Sequence, residues 1–384
     1  MIYRKFKDKE LSAMGMGLMR LPKIDNDDSK IDEEHAQKMV DYAYENGINY
    51  FDTAWGYHAG NSETFIGKAL KKYPRDSFYL ASKYPGYSLK NFGKTEEIFN
   101  KQLEKCQVDY FDFYLIHNIN EQNIEHYLDD EKYGTLSYIC EQRDAGKIKH
   151  LGFSVHGTYE TMKRFLKRYG SELEFCQIQL NYVDYEFQEA KRKIELCKEY
   201  GLGVWVMEPL RGGQLATLAD EDMAILKEQQ PDDPAIKWAY RWLQSIPEVN
   251  IVLSGSSSIE QLTENISYFS EENPLNDAEK DALDKVAKNM IDRHILPCTA
   301  CRYCTTHCPL ELDIPRLLAL YNEFVFTDGG FIAPMSISSL PQDKRPSACI
   351  ACGSCKEVCP QNIEIPEALA DFAERVVKSP FFED

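Results

Sequence analysis

The sequence predicts an α/β protein in two parts, a (β/α)8 TIM barrel followed by a small C-terminal α+β domain rich in cysteine. Three observations carry that expectation. From residue 10 to about residue 265, eight short apolar, β-branched or aromatic runs alternate with segments whose apolar residues recur every three or four positions. Of the 12 cysteines, eight fall in the last 87 residues. Those eight sit in two copies of one motif at matched spacing.

The candidate strands are 13–18, 48–53, 78–82, 111–117, 150–154, 176–180, 203–206 and 251–254. Between them, segments such as 33–46, 95–106, 159–169, 188–200 and 234–245 carry the apolar stripe of a helix packed on a sheet. Eight strands with intervening helices over this length fit a closed barrel, whose active site lies at the C-terminal ends of the strands. The rival is a doubly wound open sheet. It needs a third glycine in the turn after its first strand, and Gly15-Met16-Gly17-Leu18-Met19-Arg20 lacks it. A last barrel helix is expected near 277–289, and the Cys- and Pro-rich text begins at Pro297. This predicts a barrel domain over 1–292 and a second domain over 293–384.

A formal net charge of -18 with no long basic block excludes nucleic acid as a partner. No apolar stretch is long enough for a membrane helix, so no membrane is expected. The first ten residues are polar and do not read as a signal peptide, which predicts a cytoplasmic location. In that compartment disulfides are rare, so clustered cysteines point to metal or redox chemistry. Cys106, Cys140, Cys176 and Cys197, scattered singly, read as inert thiols.

The two motifs are Cys298, Cys301, Cys304 and Cys308 followed by Pro309, and Cys349, Cys352, Cys355 and Cys359 followed by Pro360. Each has the form C-x2-C-x2-C-x3-C-P, the bacterial ferredoxin run for [4Fe-4S] clusters, in which the fourth cysteine serves the other cluster. The expected ligand sets are therefore Cys298, Cys301, Cys304 and Cys359 for one cluster, and Cys349, Cys352, Cys355 and Cys308 for the other. Structural zinc, the alternative, takes paired ligands separated by a longer loop. Each half runs on into a short helical pattern, 316–324 and 367–376, and two such halves can close on each other as a ferredoxin-like iron-sulfur domain. Gly353 in the second motif suits a tight turn where the first has Arg302 and Tyr303, so the clusters need not share one potential.

The barrel segment, over about 1–290, resembles the aldo-keto reductases. The resemblance rests on Phe51-Asp52-Thr53-Ala54-Trp55-Gly56-Tyr57, Asn61-Ser62-Glu63, Ser82-Lys83 and Leu115-Ile116-His117. It implies a catalytic tetrad of Asp52, Tyr57, Lys83 and His117. The chemistry wants these types. Reducing a carbonyl leaves an alkoxide that must gain a proton, and a tyrosine near pKa 10 is a weak acid at neutral pH. A lysine ammonium about 4 Å away contributes roughly 4 kcal/mol at an effective dielectric near 20, or about three pKa units. Lys83 is the expected source, Asp52 its anchor, and neutral His117 a hydrogen-bond donor to the carbonyl oxygen.

The same resemblance places a nicotinamide cofactor, NADP or NAD. Ser154 and Gln177 stand where the family holds the carboxamide, with Val155 in place of the usual asparagine. Met207 stands where an aromatic would stack on the ring, in a run with Pro209, Leu210 and Arg211, the last placed to reach the pyrophosphate. After the eighth strand, Gly255, Ser256, Ser257, Gln261 and Asn265 match the adenosine loop. The family's basic residues for a 2′-phosphate are Gly255 and Gln261 here, which leaves NADP and NAD both open. A barrel phosphate site can also accept flavin as FMN, though no flavin signature is visible. The expected substrate is a small-molecule carbonyl. Three readings stay open: clusters that exchange electrons with a soluble carrier such as ferredoxin, a carbonyl reductase with structural clusters, and a non-catalytic nicotinamide-binding redox sensor. In the family the segment after the last helix folds over the substrate pocket, which predicts that the cluster domain caps the site.

Overall fold

The computed structural model describes residues 1–384 except Pro297, Thr299, Pro360 and Asp384. The start of the cysteine-rich text at Pro297 and the proline Pro360 closing the second motif thus lie outside the described residues. The chain divides into two compact units, Met1–Asp284 and Lys285–Asp384. The division falls within the helix Asp277–His294, eight residues ahead of the limit of 292 read from the sequence.

The first unit opens with an antiparallel hairpin, β1 (Tyr3–Phe6) and β2 (Lys9–Ser12), which the sequence reading did not anticipate. Eight parallel strands follow: β3 (Met14–Gly17), β4 (Tyr50–Asp52), β5 (Tyr79–Tyr84), β6 (Phe111–Ile119), β7 (Ile148–Val155), β8 (Phe175–Gln179), β9 (Gly203–Met207) and β10 (Val249–Ser254). They close in sequence order, with β10 pairing back onto β3. This is the (β/α)8 barrel, and its strands coincide with the eight apolar runs to within a few residues. Side chains that point inward fill it: Tyr50, Ala81, Phe113, Leu115, Phe175, Trp205, Ile251 and Leu253 form one buried cluster. Phe6 and Leu11 of the hairpin belong to the same cluster, and the Phe6 ring meets Trp205 edge-on at 4.8 Å. The hairpin therefore plugs the barrel with aromatic surface, where each such side chain contributes roughly 1.5–3 kcal/mol when fully buried. Gly152 on β7 is required by this packing, because a Cβ there would stand 2.6 Å from the Phe175 ring.

The surrounding helices follow the predicted stripes. Helix Tyr159–Tyr169 buries Met162, Phe165, Leu166 and Tyr169, and Thr158 caps it by accepting from the Thr161 N–H. Helix Ala235–Gln244 buries Trp238, Ala239, Trp242 and Leu243 against the sheet. Spacing of three and four puts each set on one face.

The second unit repeats itself in backbone as in sequence. Short helices Tyr303–Thr306 and Ser354–Glu357 are 51 residues apart, as are the starts of Ile314–Phe326 and Ile365–Val376. Left-handed residues repeat in the same way: Ala300, Arg302 and Glu311, then Ala351, Gly353 and Asn362. Expected in α+β form, the unit holds helices and no strand among its described residues. The connection between motifs explains this. Helices Ile314–Phe326 and Ile332–Ser338 bring Leu317, Leu318, Phe324, Ala333 and Ile337 into one core with Leu369, Phe372 and Val376. Helical packing takes the place of a sheet. Glu323 accepts from the Ala333 N–H at 3.1 Å and joins the two helices.

Candidate active site and cysteine cavities

Four side chains meet at the C-terminal ends of β4, β5 and β6. Asp52 ends β4, Lys83 lies in β5 and His117 in β6, while Tyr57 follows in the turn Tyr57–Gly60. In the parallel register Asp52 lies beside Ala81, which brings Lys83 two residues further along to the level of the turn. The Lys83 Nζ donates to Asp52 Oδ1 at 2.5 Å and to the Thr53 carbonyl at 2.7 Å. It also donates to the Tyr57 hydroxyl at 3.4 Å and stands 4.8 Å from the centre of that ring. The His117 ring meets Tyr57 edge-on at 6.1 Å and Tyr87 at 5.3 Å.

A buried network holds this lysine in place. Glu63 accepts from Ser82 Oγ, Gln102 Nε2 and Lys105 Nζ, each at 2.7 Å, and Gln102 also donates to the Lys83 carbonyl at 2.9 Å. Each charge is paired and each donor used, which is the condition under which buried polar groups rigidify a site. Glu63 thus acts on the backbone of β5 rather than on any bound molecule.

The electrostatics follow from burial. Burial opposes the Lys83 ammonium, but the Asp52 carboxylate and the Tyr57 oxygen hold its pKa above the ordinary lysine value. Burial also raises Asp52 above the usual carboxylate range, against the pull of Lys83. His117 is pushed well below its ordinary value by burial first and by the Lys83 charge second, so it is neutral at physiological pH. Tyr57 corrects the sequence expectation: burial outweighs Lys83, and its pKa lies above the ordinary value. The hydroxyl holds its proton firmly in the resting site.

Tyr57 and Asp52 form part of the wall of an open cleft of about 1180 Å3. The cleft also takes in Gln177, Met207, Pro209, Leu210, Gly255, Ser257, Gln261 and Asn265, so β8, β9 and β10 bring most of the predicted cofactor residues together. Gln177 Nε2 points at Met207 Sδ at 3.6 Å, and Gln177 Oε1 is buried with no partner among the described residues. An orphaned amide oxygen at that point suits the N–H of a carboxamide.

Three predicted cofactor residues do not line the cleft. Arg211 is buried and its Nε donates to both oxygens of Asp184 at 3.1 Å, so the expected reach to a pyrophosphate is replaced by an internal ion pair. Ser154 is buried with its Oγ accepting from the Asn118 N–H at 2.8 Å, and Ser256 Oγ accepts from Asn265 Nδ2 at 3.1 Å. Both hold loops. Arg20, which no motif marks, stands in the same cleft. It makes no ion pair among the described residues, and its Cγ lies 3.0 Å from where a Gly255 Cβ would stand. The glycine in place of a basic residue leaves room for this arginine stem. Its guanidinium extends toward Gly212, 3.6 Å from the corresponding Cβ position there.

In the second unit the cysteines surround two cavities. Cys298, Cys301, Cys304 and Cys359 line one, and Cys308, Cys349, Cys352 and Cys355 line the other. Three thiols of one repeat thus share a cavity with the fourth of the other. Among the described residues no three metal-ligating side chains converge on a point as a single ion would require. Four thiols around each cavity match the ligand number of a [4Fe-4S] cluster. The Cys106, Cys176 and Cys197 thiols are buried in the barrel unit, and Cys140 partly so.

A closed parallel barrel with its polar cluster at the C-terminal strand ends is the architecture of a (β/α)8 enzyme. Residues 13–288 match the model of the aldo/keto reductase family, and residues 297–364 match that of the 4Fe-4S dicluster domain. The chain belongs to the aldo/keto reductase family, with an iron-sulfur domain on the same polypeptide. It is similar to a probable aldo-keto reductase 1 of Glycine max, 28% identical over 53% of this chain and 57% of that protein. It is also similar to the NADH-specific methylglyoxal reductase of Escherichia coli, 25% identical over 68% of this chain and 90% of that one. The chain thus spans little more than half of the soybean relative. Among solved structures, the aldo-keto reductase AKR11C1 from Bacillus halodurans in its holo form matches with a TM-score of 0.60 and 26% identity, over 74% of this chain and 95% of that one. An aldo-keto reductase from Klebsiella pneumoniae in complex with NADPH shares the fold, with a TM-score of 0.59 and 21% identity over 75% and 96% of the two chains. No described helix is long and apolar enough to cross a membrane.

Proposed function

We propose that the protein is a nicotinamide-dependent reductase of a small carbonyl compound, with Tyr57 as general acid and two [4Fe-4S] clusters for electron transfer. The observation that carries this reading is the buried Lys83 Nζ bonded to both Asp52 and Tyr57, two residues of the wall of a cleft that also contains Gln177 and Met207. Asp52 fixes the ammonium, and the ammonium stabilises the phenolate left when Tyr57 gives up its proton. Neutral His117, with Nδ1 buried and free of partners among the described residues, donates to the substrate oxygen once its ring N–H faces the cleft. Tyr57 Oη then delivers the proton to that same oxygen.

NADP or NAD lies along β8 to β10. Gln177 holds the carboxamide, Met207 packs on the ring, Pro209, Leu210 and Arg20 flank the pyrophosphate, and Ser257, Gln261 and Asn265 receive the adenosine end. When bound there, the dihydronicotinamide supplies the hydride for the carbonyl carbon. A relative that is NADH-specific by name supports a nicotinamide dinucleotide as the cofactor. Cys298, Cys301, Cys304 and Cys359 hold one cluster, and Cys308, Cys349, Cys352 and Cys355 the other. A [4Fe-4S] cluster passes one electron at a time, whereas a hydride carries two. Exchange between nicotinamide and clusters would need a group that splits the pair, for which a flavin such as FMN is suited. A soluble carrier of the ferredoxin kind is the natural partner for such a domain.

Protein purified without oxygen separates this reading from its rivals. Addition of NADH or NADPH should bleach the visible iron-sulfur absorbance, and the bleached protein should recover on addition of an oxidised carrier. Full carbonyl turnover in cluster-free protein, with no bleaching in the intact one, would make the clusters structural. No turnover with any carbonyl would reduce the barrel to a binding module.

A further inference from the structure

Hydrogen bonds through Lys83 Nζ join Asp52, Lys83 and Tyr57, whereas His117 Nδ1 is buried with no partner among the described residues. A histidine that donates from one ring nitrogen is ordinarily turned by a bond at the other. Without that bond its outer torsion is broad, and packing has to set it. The His117 ring meets Tyr57 at 6.1 Å and, closer, Tyr87 at 5.3 Å with the two planes 86° apart.

Tyr87 is itself held from two sides. Gly86, just before it, lies so near Tyr127 that a Cβ there would stand 1.6 Å from the Tyr127 hydroxyl. The buried Asn123 Nδ2 donates to the Gly86 carbonyl at 3.2 Å and to the Asn118 carbonyl at 2.8 Å. One amide thus ties the residue before Tyr87 to the residue after His117. At its far end, the Tyr87 hydroxyl stands 2.4 Å from where a Gly56 Cβ would be, and its Cζ 3.5 Å. Gly56 has φ of -90° and ψ of -7°, a conformation open to any residue, so glycine is needed there for room and not for its backbone. It directly precedes Tyr57. The Tyr87 side chain therefore reaches from the His117 ring to the turn that carries Tyr57.

Resting on the reading above that His117 donates to the substrate oxygen, we infer that Tyr87 is a positioning residue for the reduction. Its ring sets the turn of the His117 imidazole, and Gly56 is the gap that lets it stand there.

The test uses the full chain, with steady-state reduction of benzaldehyde and of acetone by NADH and NADPH as the probe reactions. Tyr87→Leu removes the ring and should lower kcat about tenfold or more, with the Kd of the cofactor changed less than about twofold. Gly56→Ala should act in the same direction, because the new methyl displaces the ring, and a crystal structure of that variant should show Tyr87 moved away from His117. Adding Tyr87→Phe to Gly56→Ala removes the atom that the methyl strikes and leaves a ring carbon at ordinary contact distance, so most of the lost kcat should return. In a His117→Gln background, Tyr87→Leu should cost nothing further, since the two side chains act as one unit. A tyrosine that merely supports the loop would cost the same with or without His117. That additive result, a Gly56→Ala loss that Tyr87→Phe does not rescue, or an unmoved ring in Gly56→Ala would overturn the inference. His117→Gln reducing both probes as well as the wild type does would instead remove the reading of His117 on which it rests.

Discussion

Replacing Lys83 by Met separates the two roles of the ammonium, because its partners respond differently. At 3.4 Å from the Tyr57 hydroxyl, a unit charge acts with about 5 kcal/mol at an effective dielectric near 20, more than three pKa units. Tyr57 faces an open cleft, so solvent screening leaves about half of that. With proton transfer partly advanced at the transition state, the expected loss in kcat is about tenfold to hundredfold, or roughly 1.4–2.8 kcal/mol of barrier. Stability should fall as well. Asp52 is buried, and stripping one partner from a buried ion pair costs about 3–5 kcal/mol. Since burial already raises its pKa, Asp52 can take up a proton and recover part of that cost. The double variant Asp52→Asn with Lys83→Met should therefore regain most of the thermal stability and none of the activity. Carbonyl reduction in the steady state and urea unfolding of the wild type and the two variants measure both effects. Activity within threefold of wild type in either lysine variant, or activity returning together with stability, would refute the electrostatic argument.

Four further outcomes follow from the structure. The pH profile of reduction should lack an acid limb at the ordinary histidine pKa of about 6.5, because His117 is held neutral far below it. It should fall only in alkali, where Tyr57, raised above 10, loses its proton; an inflection near 6.5 that disappears in His117→Gln would contradict this. Arg20→Ala should weaken NADH and NADPH binding roughly tenfold in a fluorescence titration, the worth of a hydrogen bond to a charged group. Arg211→Ala should instead lower stability by about 3 kcal/mol, since it leaves the buried Asp184 without its cation. Cys359→Ser and Cys308→Ser should each bring iron from about eight toward about four per chain, and in each variant the cluster lost should be the one built mainly by the other repeat.

Much of this was legible in the residues, and the exceptions share a cause. The barrel strands were readable because buried parallel strands are continuous apolar runs between punctuating turns. The hairpin β1–β2 was not, since only Phe6 and Leu11 of its eight residues are core members and the rest look like a charged terminus. Asp52, Tyr57, Lys83 and His117 were implied by the family resemblance of their motifs, and folding brings them together because each sits at or just beyond a strand end. The sign of the Tyr57 shift was not findable, as it depends on how much water the fold removes. Arg211 and Asp184 lie 27 residues apart in different loops, so nothing local foretold their pairing. Arg20 is a lone arginine after a strand, and its meaning comes from Gly255, which folding brings beside it. The cysteines were the reverse case. Their spacing alone predicted which four would share a cavity, because two close repeats leave the fourth thiol nearest the partner repeat.

The central claim is that Tyr57 supplies the proton for carbonyl reduction in the barrel cleft, and Tyr57→Phe tests it most directly. The substitution removes one oxygen and keeps the ring against Lys83 and His117. Turnover of a carbonyl with NADH or NADPH should drop by about a hundredfold or more, while the Kd for the cofactor changes by less than about threefold. Turnover preserved in Tyr57→Phe, with the cofactor bound as before, would show that the proton comes from elsewhere and that the reading of this site is wrong.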